Sequence, residues 1–213
     1  MKLYGYFRSS AAYRVRIALN LKQIDYEDGF VHLRNNEMRQ DEFLQLNPQG
    51  LVPVLDDNSV ILTQSIAIIE YLEEKYPTPR LLPECEVDRA FVRSVALSIA
   101  CDIHPLNNLR VLRYLAYNLS LDDAARDTWY RHWIAQEFQA LESRLVASGN
   151  DDLYCFGDTP TMADVCLVPQ MANARRFQCD LSAYPRLVEI DANCRELAEF
   201  TKAAPENQPD AEN

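Results

Sequence analysis

The sequence predicts a mixed α/β domain over residues 1–80, followed by an all-helical domain over residues 85–213. Two observations carry this prediction. Up to Tyr76, short strand-like runs alternate with helical patterns in the order βαβ-α-ββα. After the helix breaker Pro77-Thr78-Pro79, apolar residues recur at helical spacing and we find no β-branched alternation. The chain therefore combines an α/β part with an all-α part.

The elements of the first domain follow from its residue types. Turn-forming residues, Asp57-Asn58-Ser59, separate two short apolar runs and predict a hairpin. The opening βαβ unit implies a parallel strand pair, so the added hairpin predicts a mixed sheet. In chain order the predicted elements are strand Lys2–Phe7, helix Ser10–Lys22, strand Tyr26–Val31, helix Met38–Leu44, strands Val52–Asp56 and Val60–Leu62, and helix Ser65–Tyr76.

The second domain is predicted to be helical throughout. Pro105 should kink its first helix. Thr161-Met162-Ala163-Asp164 has capping-box spacing with Asp in place of the usual Glu, so we assign Asp164 a role in folding. The polar tail, residues 203–213, is expected to be poorly ordered. The predicted helices are Asp88–Leu119, Leu121–Ala147, Met162–Phe177 and two shorter ones after them.

Composition excludes several classes of function. The 213 residues are 48% hydrophobic and 25% charged, an ordinary globular mixture. A net charge of −11 disfavours binding to nucleic acid. No apolar run is long enough for a membrane span and no signal-peptide pattern is visible, so we expect a cytoplasmic protein. Six scattered cysteines form no C-x-x-C pair, which argues against a metal site and a disulfide framework.

The first candidate site is the strand-to-helix junction at Arg8-Ser9-Ser10. A serine at such a junction usually caps the helix. The same geometry also makes an anion site, because free N–H groups and the positive end of the helix dipole favour a negative charge. With two serines, one can cap the helix and the other can donate a hydrogen bond to an anion. The small side chains of Ala11 and Ala12 leave space above the end of the helix. The residues alone leave both readings open.

Two further stretches of the first domain have functional alternatives. Pro53 opens a strand, which indicates either an edge feature or a cis peptide bond at a functional turn. If the Val52–Pro53 bond is cis, the Val52 backbone could pair with a ligand peptide. Gln64-Ser65 precedes an amphipathic helix, where Ser65 could be an N-cap or part of a second anion pocket. Two anion pockets would suit an extended ligand with charges at separated ends.

In the helical domain, His104 and Asn108 are four residues apart. They would share a helix face if the helix continues through Pro105. A lone histidine is more often structural than catalytic. The pair Arg175-Arg176 is either a solvated pair near a helix end or a clamp for a carboxylate.

The combination resembles the glutathione transferase fold, a thioredoxin-like N-terminal domain followed by a helical domain. The stretch Arg8–Leu19 is similar to the serine-cysteine motif of the zeta class, which includes maleylacetoacetate and maleylpyruvate isomerases. Gln64-Ser65-x-Ala-Ile-Ile-Glu-Tyr-Leu-Glu, Ala163-Asp164-x-Cys-Leu-Val-Pro-Gln and Gln208-Pro209-Asp210 match the same class. One departure matters, since Ala11 occupies the position where the family often has cysteine.

The resemblance implies glutathione as cofactor, a dicarboxylate substrate and a homodimer. It implies isomerisation of a maleyl keto acid such as maleylacetoacetate, with the substrate site in the helical domain. Maleylpyruvate isomerisation, glutathione transfer to α-halo acids, and glutathione binding without catalysis remain alternatives. Ser9 is implied as the donor to the thiolate, with Ser10 as its substitute or as the cap. The other implied positions are Ala11, Gln49, Val52, Gln64, Ser65, His104, Asn108 and Arg110 for glutathione, and Arg8 and Arg176 for the substrate carboxylates.

Overall fold

The computed structural model describes residues 1–149 and 152–212. These residues divide into two compact units. Unit 1 is Met1–Leu81 together with the residues from Arg195 onward, and unit 2 is Leu82–Cys194. The predicted combination of an α/β part and a helical part is confirmed.

Unit 1 contains the predicted mixed sheet. Its described strands form a four-stranded sheet in the order β2-β1-β3-β4. Strand β1 pairs in parallel with β2 and antiparallel with β3, and β3 pairs antiparallel with β4. The elements are β1 Lys2–Gly5, α1 Ser10–Leu21, β2 Glu27–Phe30, a 3-10 turn Glu37–Arg39, α2 Asp41–Leu46, β3 Val54–Asp57, β4 Val60–Thr63 and α3 Ser65–Lys75.

The core of unit 1 comes from apolar residues at helical spacing. Helix α1 buries Val15 and Leu19, and α3, which packs against it, buries Ile69 and Leu72. Each such side chain contributes about 1.5–3 kcal/mol relative to an exposed one. Because α1 is buried along almost its whole length, its first turn is held firmly against the rest of unit 1.

The C-terminal residues differ from expectation. We expected residues 85–213 to form one helical domain with a poorly ordered tail. The residues from Arg195 onward belong instead to unit 1, where α10 (Ala198–Ala203) packs against α1 and a 3-10 turn follows at Pro205–Asn207. Polar side chains of α1 donate hydrogen bonds to backbone carbonyls of this segment and so order it. The composition of the tail does not reveal these contacts. Asn213 lies outside the described residues.

Unit 2 is helical, as predicted, but its first helix is broken. The single predicted helix Asp88–Leu119 is wrong. Asn108 has an extended backbone (φ −76°, ψ 161°) and caps the helix that follows, so the helical pattern continues while the helix does not. The elements are α4 Glu86–Leu97, a π-helical turn Ser98–Ile103, α5 His104–Asn107, α6 Leu109–Tyr117, α7 Asp123–Ala147, α8 Met162–Arg176 and α9 Pro185–Arg195.

The predicted capping box at the start of α8 is confirmed. The Asp164 Oδ2 accepts hydrogen bonds from the Thr161 backbone N–H at 2.7 Å and from the Thr161 hydroxyl at 2.8 Å. Its Oδ1 accepts one from the Cys155 backbone N–H at 2.8 Å. Burial raises the pKa of Asp164, and these donors oppose that rise. Asp164 therefore joins the start of α8 to the preceding loop, as a folding element.

Candidate active site

Ser9 caps the first helix of unit 1. Its backbone is extended (φ −71°, ψ 110°) and its Oγ accepts a hydrogen bond from the Ala12 N–H at 3.2 Å. This contact uses a lone pair, so the Ser9 hydroxyl proton can still be donated to a ligand. Ser9 is half-buried, whereas Ser10 and Ala11 are buried inside the first turn. Ser9 can thus cap the helix and donate a hydrogen bond at once.

The loop that leads to Ser9 also favours an anion. The Ser9 N–H donates to the Tyr6 carbonyl at 2.9 Å and closes a tight turn between β1 and α1. Arg8 is half-buried in this turn, with its guanidinium carbon 4.9 Å from the centre of the Phe7 ring. A cation, a hydroxyl and the N-terminus of a twelve-residue helix therefore meet at one place.

The loop before β3 presents the Val52 backbone. The Val52–Pro53 peptide bond is cis, which is the functional alternative left open by the sequence. The Val52 side chain packs against the buried cluster of Val31, Met38, Phe43 and Val54, so the loop is anchored by its side chain. The backbone of Val52 is thereby placed just before the start of β3, where it can pair with a peptide.

Sequence reasoning missed two residues that shape this loop. Asn47 is buried; its Nδ2 donates to the Leu51 carbonyl at 2.7 Å and its Oδ1 accepts from the Gln49 N–H at 3.1 Å. Gly50 has φ +62°, and a Cβ there would lie 2.8 Å from the Met38 carbonyl oxygen. The Asn-Pro-Gln-Gly run was a turn signal that could have revealed both roles.

The start of α3 forms a second polar group of residues. The alternative in which Ser65 is the N-cap is wrong, because Ser65 is the first helical residue and Gln64 precedes it at φ 68°. Gln64 combines φ 68° with ψ 116°, outside the left-handed helical region, and such backbone strain costs a non-glycine residue about 1–3 kcal/mol. The Gln64 side chain is exposed and its Nε2 donates to the Gln49 Oε1 at 3.2 Å, so the structure brings these two predicted residues together.

A buried arginine lies beneath this second group. Arg14 of α1 is 1% exposed, and its Nη1 donates to the Ser65 Oγ at 3.3 Å. A buried guanidinium beside the N-terminus of α3 adds positive charge to that end of the helix. Arg14 was not among the predicted site residues, although an arginine flanked by the apolar residues Tyr13 and Val15 of a helix is itself a signal.

Both groups lie at one edge of the sheet. Strands β1 and β4 are each antiparallel to β3 and therefore run in the same direction. Helices α1 and α3 follow the carboxyl ends of these strands, so both helices begin at the same edge. The structure thus places two anion-favouring helix N-termini at this edge of unit 1, with the Val52 loop entering β3, their antiparallel neighbour, from the same edge.

In unit 2, His104 and Asn108 do not lie on one continuous helix face. His104 belongs to α5 and Asn108 lies beyond the end of α5 with an extended backbone, which corrects the expectation of a shared face. The Asn108 Oδ1 accepts from the N–H groups of Arg110 and Val111 at 3.1 and 3.2 Å. The Arg110 side chain is exposed. Asn108 is therefore at least a helix cap.

The two consecutive arginines of α8 have different surroundings. The Arg175 Nη2 lies 2.5 Å from the Asp191 Oδ2, so its charge is committed to an ion pair within unit 2. The Arg176 guanidinium carbon lies 5.0 Å from the centre of the Phe177 ring, and its positive charge acts to lower the pKa of Tyr130. The Tyr130 and Phe177 rings stack with centroids 3.5 Å apart. Burial raises the pKa of Tyr130 to about 12, so its phenol stays neutral beside Arg176 at neutral pH.

Comparison with known proteins identifies the family. Residues 1–74 match the glutathione S-transferase N-terminal domain. The chain is 54% identical over 211 residues to the "Probable maleylacetoacetate isomerase" of Vibrio cholerae serotype O1, covering 98% of this chain and 97% of that one. It is 51% identical over 211 residues to the maleylpyruvate isomerase of a Ralstonia species, covering 99% and 100%. This chain belongs to the zeta-class glutathione S-transferase family of maleylacetoacetate and maleylpyruvate isomerases.

Solved structures of this family agree throughout the chain. The holo structure of a maleyl pyruvate isomerase, a bacterial zeta-class glutathione S-transferase, is 50% identical with a TM-score of 0.98 and full coverage of both chains. A maleylacetoacetate isomerase from Methylobacterium extorquens AM1, with malonate and glutathione bound, is 40% identical with a TM-score of 0.97 and full coverage of both. The predicted zeta-class resemblance is confirmed.

Ala11 sets this zeta-class chain apart from the serine-cysteine motif. The six cysteines all lie among the described residues and are free thiols. Cys155 and Cys194 are buried, and burial raises the pKa of both thiols. Since Ala11 leaves the first turn of α1 without a thiol of its own, a nucleophilic sulfur at this position must come from a ligand. Among the described residues, no helix has the length and apolar character to cross a bilayer.

Proposed function

We propose that this chain is a glutathione-dependent cis–trans isomerase of a maleyl keto acid, acting on maleylacetoacetate to give fumarylacetoacetate. The observation that carries the proposal is Ser9, whose hydroxyl lies at the N-terminus of α1 in a zeta-class chain. The relatives named for this reaction match it over nearly their whole length. The structures of two such relatives hold glutathione.

The residues of unit 1 fit glutathione at its central thiol and at its γ-glutamyl end. Bound glutathione supplies a thiolate that can add to a conjugated C=C bond, permit rotation about the resulting single bond and then leave. The Ser9 hydroxyl donates a hydrogen bond to that sulfur and the first turn of α1 adds its dipole. A free thiol has a pKa near ~8.5, and these contacts lower it by roughly 1–2 units. A lowering of about 2 units makes the thiolate the major form at neutral pH.

The second helix start binds the other end of the tripeptide. Ser65, the N-terminus of α3 and the Arg14 charge beneath them receive the γ-glutamyl carboxylate. Gln64, paired with Gln49, offers side-chain amide groups to the same end. The Val52 backbone pairs with the cysteinyl residue. The two anion sites along one sheet edge thus receive two separate negative groups of an extended ligand, the thiolate of its central residue and its γ-glutamyl carboxylate.

Arg8 and Arg176 are proposed to bind the two carboxylates of the substrate. Arg8 is next to Ser9, so it can hold a carboxylate close to the sulfur. The net charge of −11 does not oppose this binding, because exposed charges beyond roughly 8–10 Å are screened by salt. His104, Asn108 and Arg110 remain predictions for the glutathione or active-site surface, and Ser10 remains a substitute donor.

Replacing Arg176 with alanine should raise the Michaelis constant for the dicarboxylate about fivefold and leave that for glutathione nearly unchanged. Loss of one exposed charge-assisted contact is worth about 1 kcal/mol, which corresponds to this factor. Steady-state kinetics with each substrate varied in turn measure both constants. Arg175→Ala is the matched comparison and should affect stability instead, because it removes the partner of Asp191. Equal changes in both Michaelis constants for R176A would make Arg176 a structural residue.

Three other functions use the same site. Maleylpyruvate isomerisation is favoured by the 51% identity to the Ralstonia enzyme. Glutathione transfer to α-halo acids would use the same thiolate on another electrophile, and glutathione binding without catalysis is compatible with Ala11. The test combines retention on glutathione resin with an ultraviolet assay of maleylacetoacetate and maleylpyruvate. Turnover of maleylacetoacetate at the higher kcat/KM supports the main proposal, whereas binding without turnover of either substrate overturns it.

The proposal also covers the oligomeric state, the cellular compartment and the pathway of the enzyme. The homodimer that the family resemblance implies remains part of the proposal, and the exposed Val87 (70%) and Leu97 (40%) of α4 are candidate contacts for its interface. Free thiols at all six cysteines support a reducing compartment such as the cytoplasm. A maleylacetoacetate substrate would place the enzyme in phenylalanine and tyrosine breakdown. Light scattering on the eluting protein would contradict the dimer if it gave the mass of one chain.

A further inference from the structure

The backbone of Phe7 is held on both sides by groups that the proposed function does not use. The Phe7 N–H donates to the Asp210 Oδ2 at 3.0 Å. The Phe7 carbonyl accepts from the Arg16 Nη2 at 3.1 Å. Phe7 lies beyond the end of β1 and only two residues before Ser9, so sheet hydrogen bonds do not fix it. These two contacts set where the turn to Ser9 begins.

Arg16 ties the same turn to the C-terminal segment. It is 3% exposed, and its Nε donates to the Ala203 carbonyl at 2.9 Å while its Nη2 holds Phe7. One buried guanidinium therefore binds the last residue of α10 and the loop before the first helix. A buried charge held by fixed carbonyls resists displacement, because each lost contact would leave it poorly solvated.

The segment that carries Asp210 is itself pinned along its length. The Gln208 Nε2 donates to the carbonyls of Lys202 and Ala204 at 2.8 and 2.9 Å, which folds the tail back onto α10. Beyond Asp210, the Glu212 Oε1 lies 2.6 Å from the His32 Nε2. The two polar side chains of the Gln208-Pro209-Asp210 run thus have hydrogen-bond partners, and the chain is anchored before and after Asp210.

We propose that Asp210 is a positioning residue for the active site, which fixes Phe7 and so aims the Ser9 hydroxyl at the sulfur of glutathione. This inference rests on the proposed function, because it gives Ser9 the role of donor. The tail acts through Phe7 and touches neither the thiol nor the substrate. Without the Asp210 carboxylate, the Phe7 backbone is held by Arg16 alone, and Ser9 then samples positions from which its hydrogen bond to the sulfur is longer.

The test compares Asp210→Ala with Asp210→Asn, whose amide oxygen can still accept from the Phe7 N–H. In D210A we expect kcat to fall about threefold to tenfold and the pKa of bound glutathione to rise by about half a unit. D210N should recover most of both values. Thiolate absorbance near 240 nm, followed against pH with saturating glutathione, measures the pKa. Glu206→Ala, which removes an exposed carboxylate from the same tail, should change neither quantity.

A structural role for Asp210 alone predicts a different pattern. The urea midpoint would fall while kcat per folded molecule and the pKa of the bound thiol stayed at their wild-type values, and this result would overturn the proposal. If D210A does not fold, Asp210→Glu tests the geometry instead, because it keeps the charge and moves it by one methylene. An unchanged kcat and an unchanged pKa of the bound thiol in D210E would equally contradict the proposal. A wild type that binds glutathione without isomerising maleyl acids would overturn the proposed function alone, since the thiol pKa still reports on Asp210.

Discussion

Ser9→Ala should reduce glutathione-dependent isomerase turnover at least tenfold in a protein that remains folded. The Ser9 hydroxyl is proposed to donate to the thiolate, and a charge-assisted hydrogen bond is worth about 1.5–3 kcal/mol. Its loss raises the pKa of the bound thiol and lowers the thiolate fraction at neutral pH. Initial rates with a maleyl keto acid and the 240 nm titration of bound glutathione measure the two effects.

The cap at Ser9 calls for a matched series of variants. S9A also removes the acceptor for the Ala12 N–H, which costs about 1 kcal/mol of stability. Ser9→Thr retains both the acceptor and the donor and should keep most of the turnover. Ser9→Asp retains the acceptor but brings a negative charge to the sulfur, so it should be stable and as slow as S9A or slower. Near-unchanged turnover in S9A would move the donor role to Ser10.

Asp164→Ala should lower the free energy of unfolding of unit 2 by about 2–4 kcal/mol. Asp164 is completely buried and accepts three hydrogen bonds, from the Cys155 N–H and from two groups of Thr161. Alanine leaves all three donors buried without this acceptor, and the cost of unsatisfied donors adds to the loss of the helix cap. Urea denaturation followed by circular dichroism measures the change.

Asp158→Ala serves as the control for this substitution. Asp158 is exposed in the same loop, so its removal should change the free energy of unfolding by less than about 0.5 kcal/mol. Asp164→Asn keeps the shape of the side chain but turns an amide N–H₂ toward one of the donors, and should fall between the two. A loss below about 1 kcal/mol in D164A would contradict the assignment of Asp164 as a folding element.

Most elements were predictable because their signals are local. Strands β3 and β4 begin with apolar residues on either side of the Asn58-Ser59 turn. Helices α1 and α3 have continuous apolar faces, so both helices were predicted to within a few residues. The broken helix of unit 2 was not, because α6 continues the same apolar periodicity after Asn108. An asparagine caps a helix only where its own backbone is extended, as at Asn108, and the sequence does not reveal which asparagines have that conformation.

The polar surface residues of the candidate site could be predicted from the sequence, whereas the side-chain contacts that hold them could not. Ser9, Gln64 and Ser65 were recognisable because they are polar residues at the predicted starts of helices. Arg14 is a buried group of the same site, and its role depends on a contact with Ser65 across 51 positions of sequence. The pairing of Gln49 with Gln64, 15 residues apart, is likewise tertiary. Only packing decides such contacts.

The amino-acid sequence by itself determined the order of elements, the α/β and helical parts, the zeta-class resemblance and the absence of a cysteine at position 11. Those properties depend on hydrophobic periodicity, on turn residues and on motifs within a few positions. Only the tertiary structure decided that both anion-favouring helices begin at one edge of the sheet, that Arg175 pairs with Asp191, and that Asp210 holds Phe7 across 203 positions. Long-range pairs of this kind form because chain folding brings distant polar groups into a common buried space, where an unpaired one would be costly.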